Sequence, residues 1–305
     1  MTWIILRATG AGHSLTGKAQ TYAPVGSRSP SGIEKMTKPY LGRHVYGLAA
    51  IIFGVISLVW HDFGAPWQQI QALGNVPHRE IFVSIAVAAE LFGGIAMQWQ
   101  RTVRIGALTL SGVFIVFALL WVPRIIAEPL VYDRYGNFFE QLSIVSGGLI
   151  VFATEGWGDP ERTPGLARMG YTFFGICVIS FTLVHVFYMS SVVEFVPRWI
   201  PPGQRFWAFS TTVAFALAAV ALLTGRSALL AARLLTAMII GFGLLIWLPA
   251  PFADPHKLVN WAGNAQNLAI AGAAWIVADF LSQHSSAWKA EMSSAQPVLS
   301  QSSLD

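Results

Sequence analysis

One acidic side chain stands alone within a long apolar stretch of this chain. Glu90 lies in the middle of that stretch, where a carboxylate costs roughly 3 kcal/mol in a membrane helix, so it is expected to be protonated or paired inside a helix bundle. Ser111 and Ser146 occupy similar depths in the next two apolar segments and are candidate partners. Gly93 and Gly94 share the face of Glu90 and favour close helix packing. Both an interhelical hydrogen bond and a role in proton or quinone handling fit this pattern.

Two histidines end apolar segments at matching places. His61 and His185 are 124 positions apart. A b-type haem needs two histidines that converge from facing helices. Haem binding, quinone binding and ordinary interfacial hydrogen bonding are all open for these two residues. Cys177 is the only cysteine, which excludes an intrachain disulfide, a cysteine zinc site and a cysteine-ligated iron–sulfur cluster. No metal site is predicted.

The elements that carry these residues are predicted to be transmembrane helices. Only 11% of residues are charged and 54% are hydrophobic. The apolar segments are long enough to cross the roughly 30 Å hydrocarbon core at about 1.5 Å per residue, and they lack the alternation of strands. The predicted fold is an all-α, polytopic membrane bundle of eight spans: 44–61, 81–98, 104–122, 138–155, 169–188, 206–223, 228–248 and 262–280.

Charge placement predicts the orientation. Eight spans put both termini on one side, and that side carries thirteen of the 19 Lys and Arg residues. The positive-inside rule therefore predicts cytoplasmic termini in a bacterial inner membrane. The lipid bilayer is the expected partner, and the net charge of +4 is explained by topology, so no nucleic-acid partner is predicted.

The eight segments divide into two similar sets of four. Arg43 recurs as Arg168 and Tyr46 as Tyr171, each 125 residues later, and Trp121-Val122-Pro123 recurs as Trp247-Leu248-Pro249 at 126. A tandem duplication of a four-helix unit explains these offsets, with parallel repeats at 39–157 and 158–281. Disordered tails are predicted at 1–38 and 282–305, and translation starting at Met36 rather than Met1 is an open alternative.

The first repeat contains three short motifs in order. They are Gly74-Asn75-Val76-Pro77, then Glu90-Leu91-Phe92-Gly93-Gly94, then a basic turn at Arg101 or Arg104 before an Ala/Leu-rich helix. In these motifs the repeat resembles the DoxX-like family of bacterial membrane proteins. The resemblance covers about 40 residues well, whereas the second repeat keeps the span spacing but lacks the glutamate. Some members of that family are membrane subunits of oxidoreductase complexes, including quinone-linked ones.

Three functions follow from these observations. The first, implied by the resemblance, is a non-catalytic or quinone-proximal subunit of a membrane oxidoreductase complex, with other subunits as partners. The second is a small-molecule transporter or channel, because parallel repeats also build transporters. The third is a membrane scaffold without chemistry of its own. No motif for soluble catalysis, such as a phosphate-binding loop or HExxH, is present in the sequence.

Overall fold

The computed structural model describes residues 41–68, 77–155 and 163–294, with backbone alone at 163–164 and 284–294. Every regular element in these ranges is helical. The α-helices are α1 Leu41–Trp60, α2 Arg79–Ala96, α3 Val103–Leu119, α4 Val122–Ala127, α5 Tyr132–Thr154, α6 Thr163–Phe187, α7 Met189–Phe195, α8 Gln204–Thr224, α9 Ala228–Phe242, α10 Ala250–Ala253 and α11 Leu258–Ser294. A 3₁₀ turn lies at Pro66–Gln68 and a π-helical segment at Gly243–Trp247.

Within the part of the chain that the structure describes, seven helical segments are long and apolar enough to cross a membrane, as expected of a multi-pass integral membrane protein. The helical class predicted from the sequence is therefore confirmed. The remaining predicted span, 81–98, is helical and corresponds to α2. The helix α2 carries Arg79, Glu80 and Glu90 and is not among the seven. Its eighteen residues correspond to about 27 Å, close to the thickness of the hydrocarbon core.

The eight long helices pack in a closed circuit. Each of α1, α2, α3, α5, α6, α8, α9 and α11 contacts the next, and α11 returns to α1 while also contacting α5. Small residues make the central contacts of α11: a Cβ on Gly272 would lie 2.6 Å from the backbone nitrogen of Tyr46. Close approach of this kind stabilises membrane helices, because van der Waals packing replaces the hydrophobic effect as the source of association.

Most helix ends lie near their predicted positions, with four departures of six residues or more. α6 begins at Thr163 instead of 169. α5 begins at Tyr132 instead of 138, through the polar run Tyr132-Asp133-Arg134-Tyr135-Gly136-Asn137. α9 gives way to the π segment at Gly243, before the prolines at 249 and 251 that mark the end of the seventh predicted span. α11 continues to Ser294, past position 282, where the C-terminal tail was predicted to begin. The predicted N-terminal tail, 1–38, lies outside the described residues.

Aromatic side chains gather at one end of the bundle. The indole rings of Trp60 and Trp261 lie 6.3 Å apart, and the Trp121 indole N–H donates to the Trp67 carbonyl at 3.0 Å. We call this the Trp-rich end; α1, α3, α6 and α9 run toward it. Residues 62–68 and the short helices α4, α7 and α10 follow those four helices there.

Candidate functional site

Glu90 is fully buried on α2 and has one described hydrogen-bond partner. The side-chain amide of Gln68 donates from Nε2 to Glu90 Oε1 at 3.0 Å, and Gln68 is 1% exposed. Glu90 Oε2 and Gln68 Oε1 lack partners among the described residues. A buried carboxyl group is thus paired with a neutral amide, and each of the two groups keeps one polar atom available for a further interaction.

The segment that carries Gln68 turns into the bundle directly after α1. His61 has a positive φ of 51°, which reverses the chain, and Phe63 and Ala65 are buried in the core. Gly64 sits where a Cβ would lie 2.7 Å from Ser57 Oγ and 2.8 Å from a backbone carbonyl, so a residue with a side chain would collide with α1. The Arg79 guanidinium, 2.7 Å from Asp62 Oδ1, ties the segment to the start of α2.

Sequence reasoning missed Gln68, and the described residues show no hydrogen bond from Glu90 to either candidate serine. The hydroxyl of Ser146 donates to the Leu142 carbonyl of its own helix at 2.8 Å. Ser111 Oγ is buried without a described partner, and it lies where a Cβ on Gly148 would come within 2.3 Å. The only signal for Gln68 in the sequence is that it is an amide in a loop between apolar segments, which is a weak indication of burial.

The predicted packing glycines lie at two different helix crossings. A Cβ on Gly94 would lie 2.5 Å from the carbonyl oxygen of Gly47 on α1. A Cβ on Gly93 would lie 2.7 Å from the Leu110 side chain on α3. These glycines hold α2 against both neighbours and thereby fix the depth at which Glu90 meets Gln68.

A second set of polar contacts joins the Glu90 region to the other half of the chain. The Trp67 indole N–H donates to Gln266 Oε1 at 3.2 Å, and Gln266 Nε2 donates to Glu140 Oε2 at 3.4 Å. Glu140 on α5 and Gln266 on α11 are 126 positions apart, which is the repeat offset read from the sequence. Beside Glu140, the fully buried amide of Gln141 has no described partner at either atom.

The two predicted histidines have different environments. His61 is exposed at the end of α1. His185 is half-buried near the end of α6, where its Nδ1 lies 3.2 Å from Thr212 Oγ1 and its ring meets Phe215 edge-on at 5.0 Å. The described contacts do not pair His61 with His185, and α1 and α6 are not neighbours in the circuit, so the geometry offers no support for a haem held by both.

A cavity of about 250 Å³ lies beside His185 at the Trp-rich end. Its walls come from α6, α7, α8, α9 and the π segment, and they are almost entirely apolar. The lining residues include His185, Phe195, Trp207, Thr211, Phe242 and Trp247. A mostly apolar cavity with a few polar groups is the usual form of a small-molecule site, and π-helical segments are frequent at functional sites.

An ion-paired cluster at the opposite end of the bundle was not predicted. The Arg43 guanidinium lies 2.9 Å from Glu155 Oε2, and both side chains are buried. Gln100 bridges the pair, accepting from Arg43 at 2.5 Å and donating to Glu155 at 2.7 Å. This cluster fastens α1, the turn after α2 and the end of α5 together, which is a structural role.

Neither a metal cluster nor a reactive thiol emerges from this geometry. Within the described ranges, no group of three His, Cys, Asp or Glu side chains is placed to hold a metal ion. Cys177 is buried on α6 as a free thiol. Comparison of the chain with family models, curated proteins and solved structures gives no significant match.

Proposed function

We propose that this chain is a DoxX-like protein of the bacterial inner membrane that binds a membrane quinone and serves as a non-catalytic, quinone-proximal subunit of an oxidoreductase complex. The observation that carries the proposal is the cavity beside His185. It lies at the end of a membrane-length helix, where a lipophilic ring can enter from the bilayer. Its aromatic walls suit a flat ring, and His185 supplies a polar contact for the head group.

The size of the cavity also suits a ring compound. A dry protein cavity of about 150 Å³ is enough to bind benzene, so 250 Å³ accommodates a ring with substituents. An isoprenoid tail would extend from such a site into the lipid. The exposed apolar side chains of α8, such as Phe209, Leu217 and Val220, provide the lipid-facing surface that such a protein needs.

A duplicated architecture with both termini in the cytoplasm is part of the proposal. Two residue pairs support it, because in each pair residues 126 positions apart face one another across α5 and α11. One is Glu140 with Gln266, and the other is Gly147, whose Cβ would lie 2.9 Å from that of Ala273. Contacts between equivalent residues are expected where an internal two-fold axis passes between two repeats. In this arrangement α2 spans the membrane as the counterpart of α8.

The test is to measure bound quinone in the purified protein. The protein is extracted from bacterial membranes in mild detergent, and quinone per chain is quantified by chromatography. Val192→Phe places a larger side chain in the cavity wall, whereas Val220→Phe makes the same change on the lipid-facing surface. We expect close to one quinone per chain in the wild type and in Val220→Phe, and at least a fivefold loss in Val192→Phe. Absence of quinone from the wild type, or equal amounts in both variants, contradicts the proposal.

A second candidate is a proton-coupled transporter, favoured by the unpaired polar atoms of the N-terminal half. Ser57, Gln68, Glu90, Ser111 and Gln141 each bury a side-chain atom without a described partner. Buried polar groups in a membrane helix bundle commonly mark a hydrated or ion-binding region. Proton flux into liposomes containing the protein, abolished by Glu90→Gln, would favour this function over the first.

A further inference from the structure

The hydrogen bonds of His185 fix which of its ring nitrogens carries the hydrogen. Thr212 donates its single hydroxyl hydrogen to the Ala208 carbonyl at 2.7 Å. Its oxygen can therefore only accept from His185 Nδ1, which lies 3.2 Å away. In the neutral imidazole, Nε2 is then left with a lone pair and acts as an acceptor.

The other polar groups of the cavity wall offer few hydrogens to an occupant. The Trp207 indole N–H donates to the Pro201 carbonyl, and the Thr211 hydroxyl donates to the Trp207 carbonyl, both at 2.9 Å. Trp247 has the one lining indole N–H for which the described residues show no acceptor. Among the lining residues, His185 Nε2 is therefore an acceptor, and the Trp247 indole N–H is a donor without a described partner.

We infer that this cavity selects ring compounds that donate a hydroxyl hydrogen, so that it binds a hydroquinone in preference to the corresponding quinone. The inference rests on the proposed function and adds the redox form of the ligand. A hydroquinone has a hydroxyl that can donate to His185 Nε2 and a second oxygen that can accept from Trp247. A quinone has two carbonyl oxygens and no hydroxyl hydrogen, so with a quinone in the cavity Nε2 faces a second acceptor and loses its hydrogen bond. Leaving a buried polar atom unpaired weakens binding by about tenfold or more.

The experiment compares two probes that differ by two hydrogens. Decylubiquinol and decylubiquinone are equilibrated anaerobically with the full-length protein in nanodiscs, and the bound fraction of each is quantified after separation. We expect the wild type to bind decylubiquinol about tenfold more tightly. Thr212→Val keeps the volume of the side chain but removes the oxygen that holds the Nδ1 hydrogen, so Nε2 can then carry it and donate to a quinone. The preference should fall to within about threefold in Thr212→Val and return in Thr212→Ser.

The outcomes separate this inference from the proposed function. Equal binding of the two probes to the wild type, with both weakened by His185→Phe, overturns the inference and leaves the quinone site intact. An unchanged preference in Thr212→Val also overturns it, because the tautomer is then not what selects the ligand. Failure of both probes to bind, or retention of a phospholipid in the cavity that decylubiquinol does not displace, overturns both the inference and the proposed function.

Discussion

The two halves of this protein place similar helices side by side but treat the space at the Trp-rich end differently. In the N-terminal half, residues 62–68 enter the bundle after α1, and Phe63, Ala65 and Gln68 are all buried. In the C-terminal half, α7 follows α6 with none of its residues buried, and a cavity of about 250 Å³ lies next to it. The difference shows how one helical framework can hold a filled polar core in one half and a ligand-sized space in the other.

The same contrast extends to individual residues. Glu90 on α2 lies 124 positions before Ala214 and 125 before Phe215 on α8, which are its proposed equivalents. Glu90 accepts a hydrogen bond from Gln68, whereas Phe215 packs against the edge of His185. Trp121 donates to the Trp67 carbonyl within residues 62–68, and Trp247, which lies 126 positions after Trp121, lines the cavity. Whether the space at the Trp-rich end of each half is filled or open therefore depends on the residues that follow the first helix of that half.

The comparison would break entirely if α2 did not cross the membrane. Reporter fusions near Gly74 and Pro202 should read as periplasmic, and fusions after Trp157 and at the C-terminus should read as cytoplasmic. The expected effect is all-or-none. A phosphatase reporter is active on the periplasmic side and a fluorescent-protein reporter on the cytoplasmic side, so moving the fusion point across a span exchanges one signal for the other. If Gly74 and Trp157 report the same side, α2 is not a span, and the two halves cannot be repeats in parallel orientation.

The largest expected loss of stability comes from the crossing of α1 and α2. Gly94→Ala would place a Cβ 2.5 Å from the Gly47 carbonyl, and a backbone atom cannot rotate away. Overpacking of this kind should cost about 3 kcal/mol. It should appear as a lower thermal unfolding midpoint in detergent.

Gly112→Ala is the matched control, because its Cβ would meet nothing within 4 Å. The free energy of unfolding should change by less than about 0.5 kcal/mol in the control, as is usual for exposed sites. α8 contains no glycine, so this dependence is specific to the N-terminal half. Equal effects of Gly94→Ala and Gly112→Ala would show that the crossing is not tight.

The Gln68–Glu90 pair should have a smaller but measurable effect. Glu90→Leu removes the acceptor and leaves the buried Gln68 amide unpaired, which should lower the free energy of unfolding by about 1–2 kcal/mol. Glu90→Gln keeps an acceptor oxygen and should stay within about 0.5 kcal/mol of the wild type. The double variant Gln68→Leu with Glu90→Leu should be more stable than Glu90→Leu alone, because no buried group is then left without its partner.

The measurement also separates a structural from a functional role of Glu90. If Glu90→Gln unfolds like the wild type and also restores the phenotype of cells that lack the protein, the carboxyl group acts only as a hydrogen-bond acceptor. If it folds normally but loses the phenotype, ionisation is required and the transporter candidate gains support. Additive effects of Gln68→Leu and Glu90→Leu would show that the observed hydrogen bond does not stabilise the fold.

Helix positions were predictable from the sequence, whereas the buried Gln68–Glu90 contact and the cavity beside His185 were not. Apolar length determines a membrane helix, and the described helices follow it within a few residues at most ends. α5 starts early because polar residues at its Trp-rich end continue the helix beyond the apolar run. Gln68 was missed because it meets Glu90 across 22 positions and through a loop, where no helical spacing applies. The cavity beside His185 is an absence of side-chain volume, which depends on how α7 and the π segment pack and leaves no pattern in the sequence.

The smallest effects should come from the ion pairs just before α5 and α11, where the two halves again differ in strength. Glu128 Oε2 accepts a hydrogen bond from Arg134 Nε at 2.8 Å and lies 2.7 Å from Arg134 Nη2, whereas Lys257 lies 3.1 Å from Asp254 Oδ2. The hydrogen bond and charge of Lys257 hold the pKa of Asp254 below its ordinary value. Because the pKa is lowered in the folded state, this contact stabilises the protein above the ordinary aspartate range and ceases to do so as the pH falls through the lowered pKa.

Lys257→Met should raise the pKa of Asp254, measured by carboxyl carbon NMR in micelles, and Lys257→Arg should largely preserve it. The unfolding midpoint at neutral pH should hardly change in Lys257→Met, because exposed ion pairs contribute little and are screened by salt. Arg134→Met should lower the midpoint more than Lys257→Met does, since the Arg134 guanidinium has two nitrogens within 2.8 Å of Glu128 Oε2 and also lies 3.2 Å from Asp133 Oδ2. The opposite order would mean that the loop before α11 is the more tightly held of the two, and that the open half is not the looser one at the Trp-rich end.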